Sequence, residues 1–488
     1  MYARNLHKSH WTLPVLLGLP LMVALGIWFS LKSTLLFTGA VLVALGGISW
    51  LVSFFELQYL LLLILSVLLP FSVETQITDG LNINFPSEPI LAIAIFTMGW
   101  DVLRKRGLLN KLFDYETLWV LPFLLCFIGT SFFSTIPWVS LKFSIVNITY
   151  VMVFFVWLKH LLRSRPDIFP KLIMLYSISL FVVLLFSVIQ FRHLGWIPST
   201  IRGIFQPFYK DHTIFGATSA MLTSFWVASA FRVKTLTIKL FFLFLGLVFV
   251  GGTVLSTSRA AALSLVFFVF VFILLQIRFR ISHLVIGFAC ISLFLFVFRS
   301  PVYNFLKEDK YISHKGQFGY VEQLESSANI STDISNRERL NRWTAGLAMF
   351  IQRPLTGFGP GTYQFEYIPF QKKEFMSQLT VKDPWHIPEN SGGTAHSEYL
   401  LAISEMGIIG IVALLVLISR WFWIAFVKAR SHPQRTTIII GFAVIATYLF
   451  HAFFNNFLST DKFAFLFWGT AAWMVSQSEM KAHESLDV

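Results

Sequence analysis

Long apolar stretches separated by short polar breaks dominate the chain. They fall at about 13–30, 34–52, 57–73, 88–102, 117–133, 143–160, 170–190, 214–231, 238–256, 260–277, 282–299, 396–420, 437–456 and 462–477. Most are long enough for a helix rising 1.5 Å per residue to cross a hydrocarbon core of roughly 30 Å. The weak break in "SWLVSFFELQYLLL" leaves the boundary between the second and third runs loose. The pattern predicts an all-α fold, a polytopic transmembrane helical bundle of about 12–14 helices. It divides the chain into transmembrane helices over 1–299, a large loop over 300–395, further transmembrane helices over 396–477 and a tail over 478–488. Within the loop, "NRERLNRWTAGLAMFIQRPL" places Leu340, Trp343, Leu347, Phe350 and Ile351 at helical spacing. That spacing predicts an amphipathic helix, with Pro354 helping to end it. "GFGPG" at 357–361 reads as a turn; it neither follows a strand nor opens a βαβ unit, which argues against a dinucleotide loop.

Composition agrees: 56% of residues are hydrophobic and 13% charged, against roughly 25% charged in soluble domains. The distribution of the net charge of +13 carries more information. Lys and Arg crowd alternate connections (Arg104 to Lys111, Lys159 to Lys171, Arg232 to Lys239, Arg278 to Arg280, Arg420 to Arg435) and are sparse in the others. By the positive-inside rule, the crowded set and both termini are expected in the cytoplasm, and the 300–395 loop outside. Charge dispersed in this way reflects topology and predicts no nucleic-acid partner. "MYARNLHKSH" precedes an uncleaved first helix in this reading, because no small-residue cleavage site follows. Cys126 and Cys290 lie singly in apolar runs, which supports neither a disulfide framework nor a zinc site.

Polar groups then gather at the outer ends of helices. "LSTSRAA" puts Arg259 there, in a connection too short for much else. One reading is a snorkelling residue at headgroup level; the other is an anion ligand whose planar fork suits phosphate, with Ser256 and Ser258 adding donors. Arg337, Arg339 and Arg342 lie on the loop helix, where a solvated face competes with ligand binding. His451, Asn455 and Asn456 arrive at the same leaflet. "GGTAHSEYLLAISEMGIIG" supplies His396, either a helix cap or a group that accepts a proton from a hydroxyl. Glu398 suits the helix dipole. Glu405 is expected to bond inside the bundle, while Gly407 and Gly410 allow close helix packing. Were residue 396 helical, it would stand some 160–180° around the helix from both carboxylates. No Asp-x-Asp pair, His-x-x-x-His or cysteine set suggests a metal, so no metal or other cofactor is expected.

Three segments, "TSRAA" (257–261), "RLNRWTAGLAMFIQRPLTGFGPGTY" (339–363) and "HSEYLLAISEMGIIG" (396–410), resemble the O-antigen ligase and polymerase superfamily of envelope glycosyltransferases. "RGIFQPFYKDHTIFGA" (202–217) sits where members carry an arginine-containing segment, which adds Arg202 and His212 as supporting candidates. The resemblance implies His396 as the catalytic histidine and Arg259 and Arg339 as ligands of a lipid-linked pyrophosphate. Ser258, Arg342, Glu398 and His451 join the supporting set. Ser397 stands where many members have Asn. The implied activity is glycan transfer from undecaprenyl pyrophosphate to a glycan or lipid A-core acceptor, on the periplasmic side of the bacterial inner membrane. It would proceed by a metal-independent inverting displacement, with O-antigen ligation favoured. A polymerase joining lipid-linked repeat units is the nearest alternative. A secondary transporter or lipid flippase, or a scaffold, belongs to other classes.

Overall fold

The computed structural model describes residues 34–78, 81–197, 200–278, 334–388 and 392–480. Its main helices in chain order are α1 (Thr34–Phe54), α2 (Gln58–Leu68), α3 (Ser87–Arg104), α4 (Leu121–Ser131), α5 (Pro137–Ser164), α6 (Ile168–His193) and α7 (His212–Ala230). After these come α8 (Leu236–Leu255), α9 (Arg259–Gln276), α10 (Ile334–Gln352), α11 (Glu398–Phe426), α12 (Arg435–His451) and α13 (Asp461–Glu479). Each expected span within the described residues coincides with one of them. The expected spans 13–30 and 282–299, the first part of the loop to 333 and the tail from 481 lie outside the described residues.

Among the described residues, five helices are long and apolar enough to cross a membrane: α5, α6, α8, α9 and the Glu398–Ser431 segment containing α11. The chain is a polytopic helical membrane protein. The other helices are shorter or more polar, and burial supplies a reason for three of them. Every side chain of α13 from Asp461 to Ser478 is buried, as is most of α7 and α12. Surrounded by protein, these inner helices carry Ser, Thr, Gly and Ala, which let neighbouring backbones approach. Opposite Gly252 of α8, a β-carbon would come within 2.9 Å of the Ser219 hydroxyl of α7.

One element departs from the all-α expectation. Val73–Thr78 (β1) and Leu81–Phe85 (β2) pair antiparallel, with Val73 opposite Phe85 and Thr75 opposite Ile83. The signal was present as "VETQITDGLNINF", two alternating stretches around an Asp-Gly dipeptide. The Glu74 carboxylate meets Lys210 at 2.5 Å, so the hairpin leans on the segment leading into α7.

Two ion clusters hold the opposite, lysine- and arginine-rich end. Lys159 of α5 is fully buried and pairs with Asp114 at 2.5 Å and Glu479 at 3.6 Å, while Arg163 joins both carboxylates. Glu116 accepts from Arg420 at 2.6 Å and lies 3.5 Å from Lys428. Together these tie α5, α11 and α13 at their ends, leaving the other end to the polar groups of interest.

Candidate active site

Helix α11 starts at Glu398, two residues later than its sequence suggests. Ser397 is the N-cap, its hydroxyl accepting from the Leu400 N–H, and His396 precedes it with φ of +49°. A non-glycine residue in the left-handed region costs about 1–2 kcal/mol. Because His396 stands outside the helix, the wheel angle that separated it from Glu398 and Glu405 does not apply. Its carbonyl accepts from the Trp343 indole N–H of α10 at 3.5 Å. Glu398 anchors this entry: its carboxylate accepts from the Tyr448 hydroxyl at 2.6 Å and the Leu458 N–H at 2.8 Å, and its own N–H donates to the Ala452 carbonyl at 2.9 Å. His396 is thereby held beside the end of α12.

The α8–α9 connection is equally tight. Thr257 has φ of +51°, and the Ser258 hydroxyl caps α9 by accepting from the Ala261 N–H at 3.4 Å. Ser256 donates its hydroxyl proton to the Thr253 carbonyl at 2.6 Å. Both serines are buried and engaged in shaping the turn. What the turn presents is half-buried Arg259 in the first turn of α9, where the helix dipole already favours an anion.

Three more elements close around this turn. Asp211 caps α7 by accepting from the Thr213 N–H at 2.8 Å, and His212 beside it faces the Ser256 backbone, within electrostatic reach of Arg202 and Arg339. Fully buried His451, at the end of α12, is 3.0 Å from the Asn455 amide through Nε2 and faces the Ala260 backbone. Arg339 acts electrostatically on both imidazoles, so it lies near the start of α7 and the end of α12. Trp343, one helical turn beyond Arg339, touches His396 and lies 6.5 Å from the Phe454 ring. Arg202, His212, Arg259, Arg339, His396 and His451 therefore share one end of the bundle.

The remaining loop arginines have other partners. Arg342 is fully buried; its Nε donates to Glu338 at 2.9 Å and its Nη1 to the carbonyls of Gly392 and Thr394. It pins the strand of chain that delivers His396 and so supports the site from behind. Arg337 donates to the Glu374 carbonyl at 2.9 Å, and Arg353 to that of Phe133 at 3.4 Å.

A connection that sequence reasoning missed runs between the loop and α11. The helix breaks at Gly407, whose φ of +63° lies outside the helical region. The turn after α10 docks into the break. Phe358 N–H donates to the Ser404 carbonyl at 3.1 Å, Gly359 N–H to that of Glu405 at 2.8 Å, and Ile408 N–H to that of Pro354 at 2.8 Å. The Glu405 carboxylate accepts from Gly361 N–H at 2.8 Å and Tyr363 N–H at 2.9 Å. A β-carbon on Gly407 would collide with the Leu355 carbonyl. Glu405, expected to bond inside the bundle, instead bonds the backbone of the turn after α10, and Gly407 serves a helix break and not helix-on-helix contact. The repeated glycines of "GFGPG" were the available signal.

Among the described residues, no three His, Cys, Asp or Glu side chains converge so as to hold a metal ion. The arrangement offers guanidinium groups and a helix start for a multiply charged anion, with imidazoles beside it.

Residues 240–415 match a family model described as O-antigen ligase, a stretch running from α8 past the break in α11. It contains Arg259, Arg339, Arg342, His396, Glu398 and Glu405. The activity of that family is glycan transfer of the O-antigen ligase or polymerase type. No curated protein matches the chain.

Proposed function

Starting from the O-antigen ligase domain of residues 240–415, we propose that this protein moves a glycan from undecaprenyl pyrophosphate to an acceptor sugar, most specifically O-antigen to lipid A-core. The observation that carries the reading is the gathering of Arg259, Arg339 and His396 at one end of the bundle. The short helix connections at the opposite end are richer in Lys and Arg than those at the site end, which supports a periplasmic site in the inner membrane under the positive-inside rule.

In this mechanism the donor's isoprenoid tail lies against the lipid-facing helices, and its pyrophosphate rests on Arg259, Arg339 and the start of α9. The acceptor hydroxyl attacks the anomeric carbon from the side opposite the pyrophosphate. The bond from that carbon to the pyrophosphate oxygen breaks, and its electrons leave with undecaprenyl pyrophosphate. His396 takes the hydroxyl proton, and configuration inverts. The arginines neutralise charge that grows on the leaving group, so losing one should lower turnover by roughly 10²–10³. His212 and His451 brace the α9 turn, Arg202 adds positive charge, and Ser258, Glu398 and Arg342 hold the frame.

A transporter reading receives no support from Glu405, the deep carboxylate that would serve ion coupling, because both its oxygens are taken by backbone N–H groups. The test is glycan transfer in membranes from cells carrying His396→Ala or Arg259→Ala, with protein level and fold verified. Loss of transfer with long chains accumulating on undecaprenyl pyrophosphate is the expected result. Near-normal transfer would remove those residues from the chemistry, and accumulation of single repeat units would reassign the protein as a polymerase.

A further inference from the structure

Helix α10 packs with polar residues turned inward. Glu338, Asn341 and Arg342 are buried against the protein beside Ala345, Gly346 and Met349. Asn341 donates from Nδ2 to the Gln371 Oε1 at 2.7 Å, and Arg342 bonds Glu338 and the Thr394 carbonyl. Leu347 and Ile351, one turn apart, are exposed instead, and Leu355 follows them in the turn beyond the helix. Ile351 is 77% and Leu355 66% exposed, so the outward side of this half of α10 is largely hydrocarbon. Elsewhere the same loop exposes Lys372, Lys373 and Glu374, the charged surface expected where water is the surroundings.

The apolar side of α10 runs on into a surface that faces lipid. The Pro354 carbonyl accepts from the Ile408 N–H at 2.8 Å, joining the end of α10 to α11 at its break. Ile408 and Val412 are exposed on α11, a helix long and apolar enough to span the membrane. On the other flank, Arg353 Nη1 reaches the carbonyl of Phe133, an exposed ring just past α4, at 3.4 Å. Leucine and isoleucine outward with charge inward is the pattern of a helix whose surroundings are less polar than its protein contacts. We propose that the C-terminal half of α10 rests in the lipid leaflet at the His396 end, with Leu347, Ile351 and Leu355 against phospholipid acyl chains. A segment assigned by sequence to the 300–395 loop is thus seated in the membrane at one end. The seat is independent of the glycan-transfer reading; where that reading holds, it also fixes how far Arg339, earlier on α10, stands from the leaflet.

The test is collision accessibility by electron paramagnetic resonance, on the full-length protein in phospholipid nanodiscs. Nitroxide labels are placed on single cysteines in a background carrying Cys126→Ser and Cys290→Ser. Ile351→Cys and Leu355→Cys probe the seat, Val412→Cys marks the membrane-spanning surface and Lys373→Cys the aqueous one. Each labelled side chain is exposed in the native protein, so the labels do not disturb its packing. Molecular oxygen concentrates among acyl chains, whereas a charge-neutral nickel chelate stays in water. Labels at Ile351→Cys and Leu355→Cys should match Val412→Cys, colliding several-fold more with oxygen than with nickel, and Lys373→Cys should show the reverse. Nickel accessibility at both seat positions equal to that of Lys373→Cys would overturn the proposal. Low collision with both reagents would show that protein covers the patch, and would refute the lipid equally.

Discussion

Glu405→Gln isolates the latch between the loop and the membrane helix. The native carboxylate offers one oxygen to each of two N–H groups, at 2.8 Å and 2.9 Å. Glutamine keeps one acceptor and turns an NH₂ toward the other N–H, so one hydrogen bond is lost and a donor is left facing a donor. That exchange costs about 2–4 kcal/mol, combining the lost bond with the stranded buried group. The three backbone bonds of the turn to α11 remain, so the loop should loosen without detaching. Because α10 carries Arg339 and runs directly into the docked turn, loosening displaces a pyrophosphate ligand in the proposed site. Misplacement of a binding group by ~1 Å costs roughly 10²-fold in rate. The assay pairs thermal unfolding in detergent with glycan transfer in membranes. A lowered Tm together with at least a tenfold drop in transfer is expected, and both should be worse for Gly407→Ala, whose methyl would strike the Leu355 carbonyl. Wild-type Tm and transfer in Glu405→Gln would refute the latch as a positioning element.

Three further outcomes follow from the geometry. Arg342→Met strands buried Glu338 without its ion partner, so a loss of about 3–5 kcal/mol and faster proteolysis of the 334–397 segment are expected by limited digestion. Ser258→Ala removes the α9 cap and should cost about 1 kcal/mol of stability with little change in KM, since its oxygen is engaged by the Ala261 N–H; a large KM effect would return it to the ligand set. Burial pushes the Asp114 carboxyl upward, but Lys159, the Thr117 N–H and Arg163 outweigh it and hold the pKa below the ordinary carboxylate value. Its contribution to stability is therefore full above about pH 4 and lost as pH falls through the depressed value. Acid unfolding followed by tryptophan fluorescence should show this decline in the wild type and a flatter profile in Asp114→Asn.

Hydrophobic periodicity was enough to place the helices, because a segment facing lipid must be apolar along its length and satisfy its own backbone hydrogen bonds. The amphipathic α10 was legible for a related reason, its apolar residues recurring at the helical period. The chemical candidates were legible too, since arginine and histidine at the ends of apolar helices stand out against their surroundings. The roles of neighbouring residues were not. Arg339 and Arg342 are three positions apart on one helix, yet one acts electrostatically on His212 and His451 and the other is closed over by Glu338 and loop carbonyls. Nor could the serines of "STSR" be told from ligands, because capping depends on where α9 begins. The break at Gly407 and the docking of the glycine turn onto Glu405 depend on segments some forty residues apart meeting in space. Local pattern carries no information about such meetings, whereas backbone hydrogen bonds between the meeting segments create them.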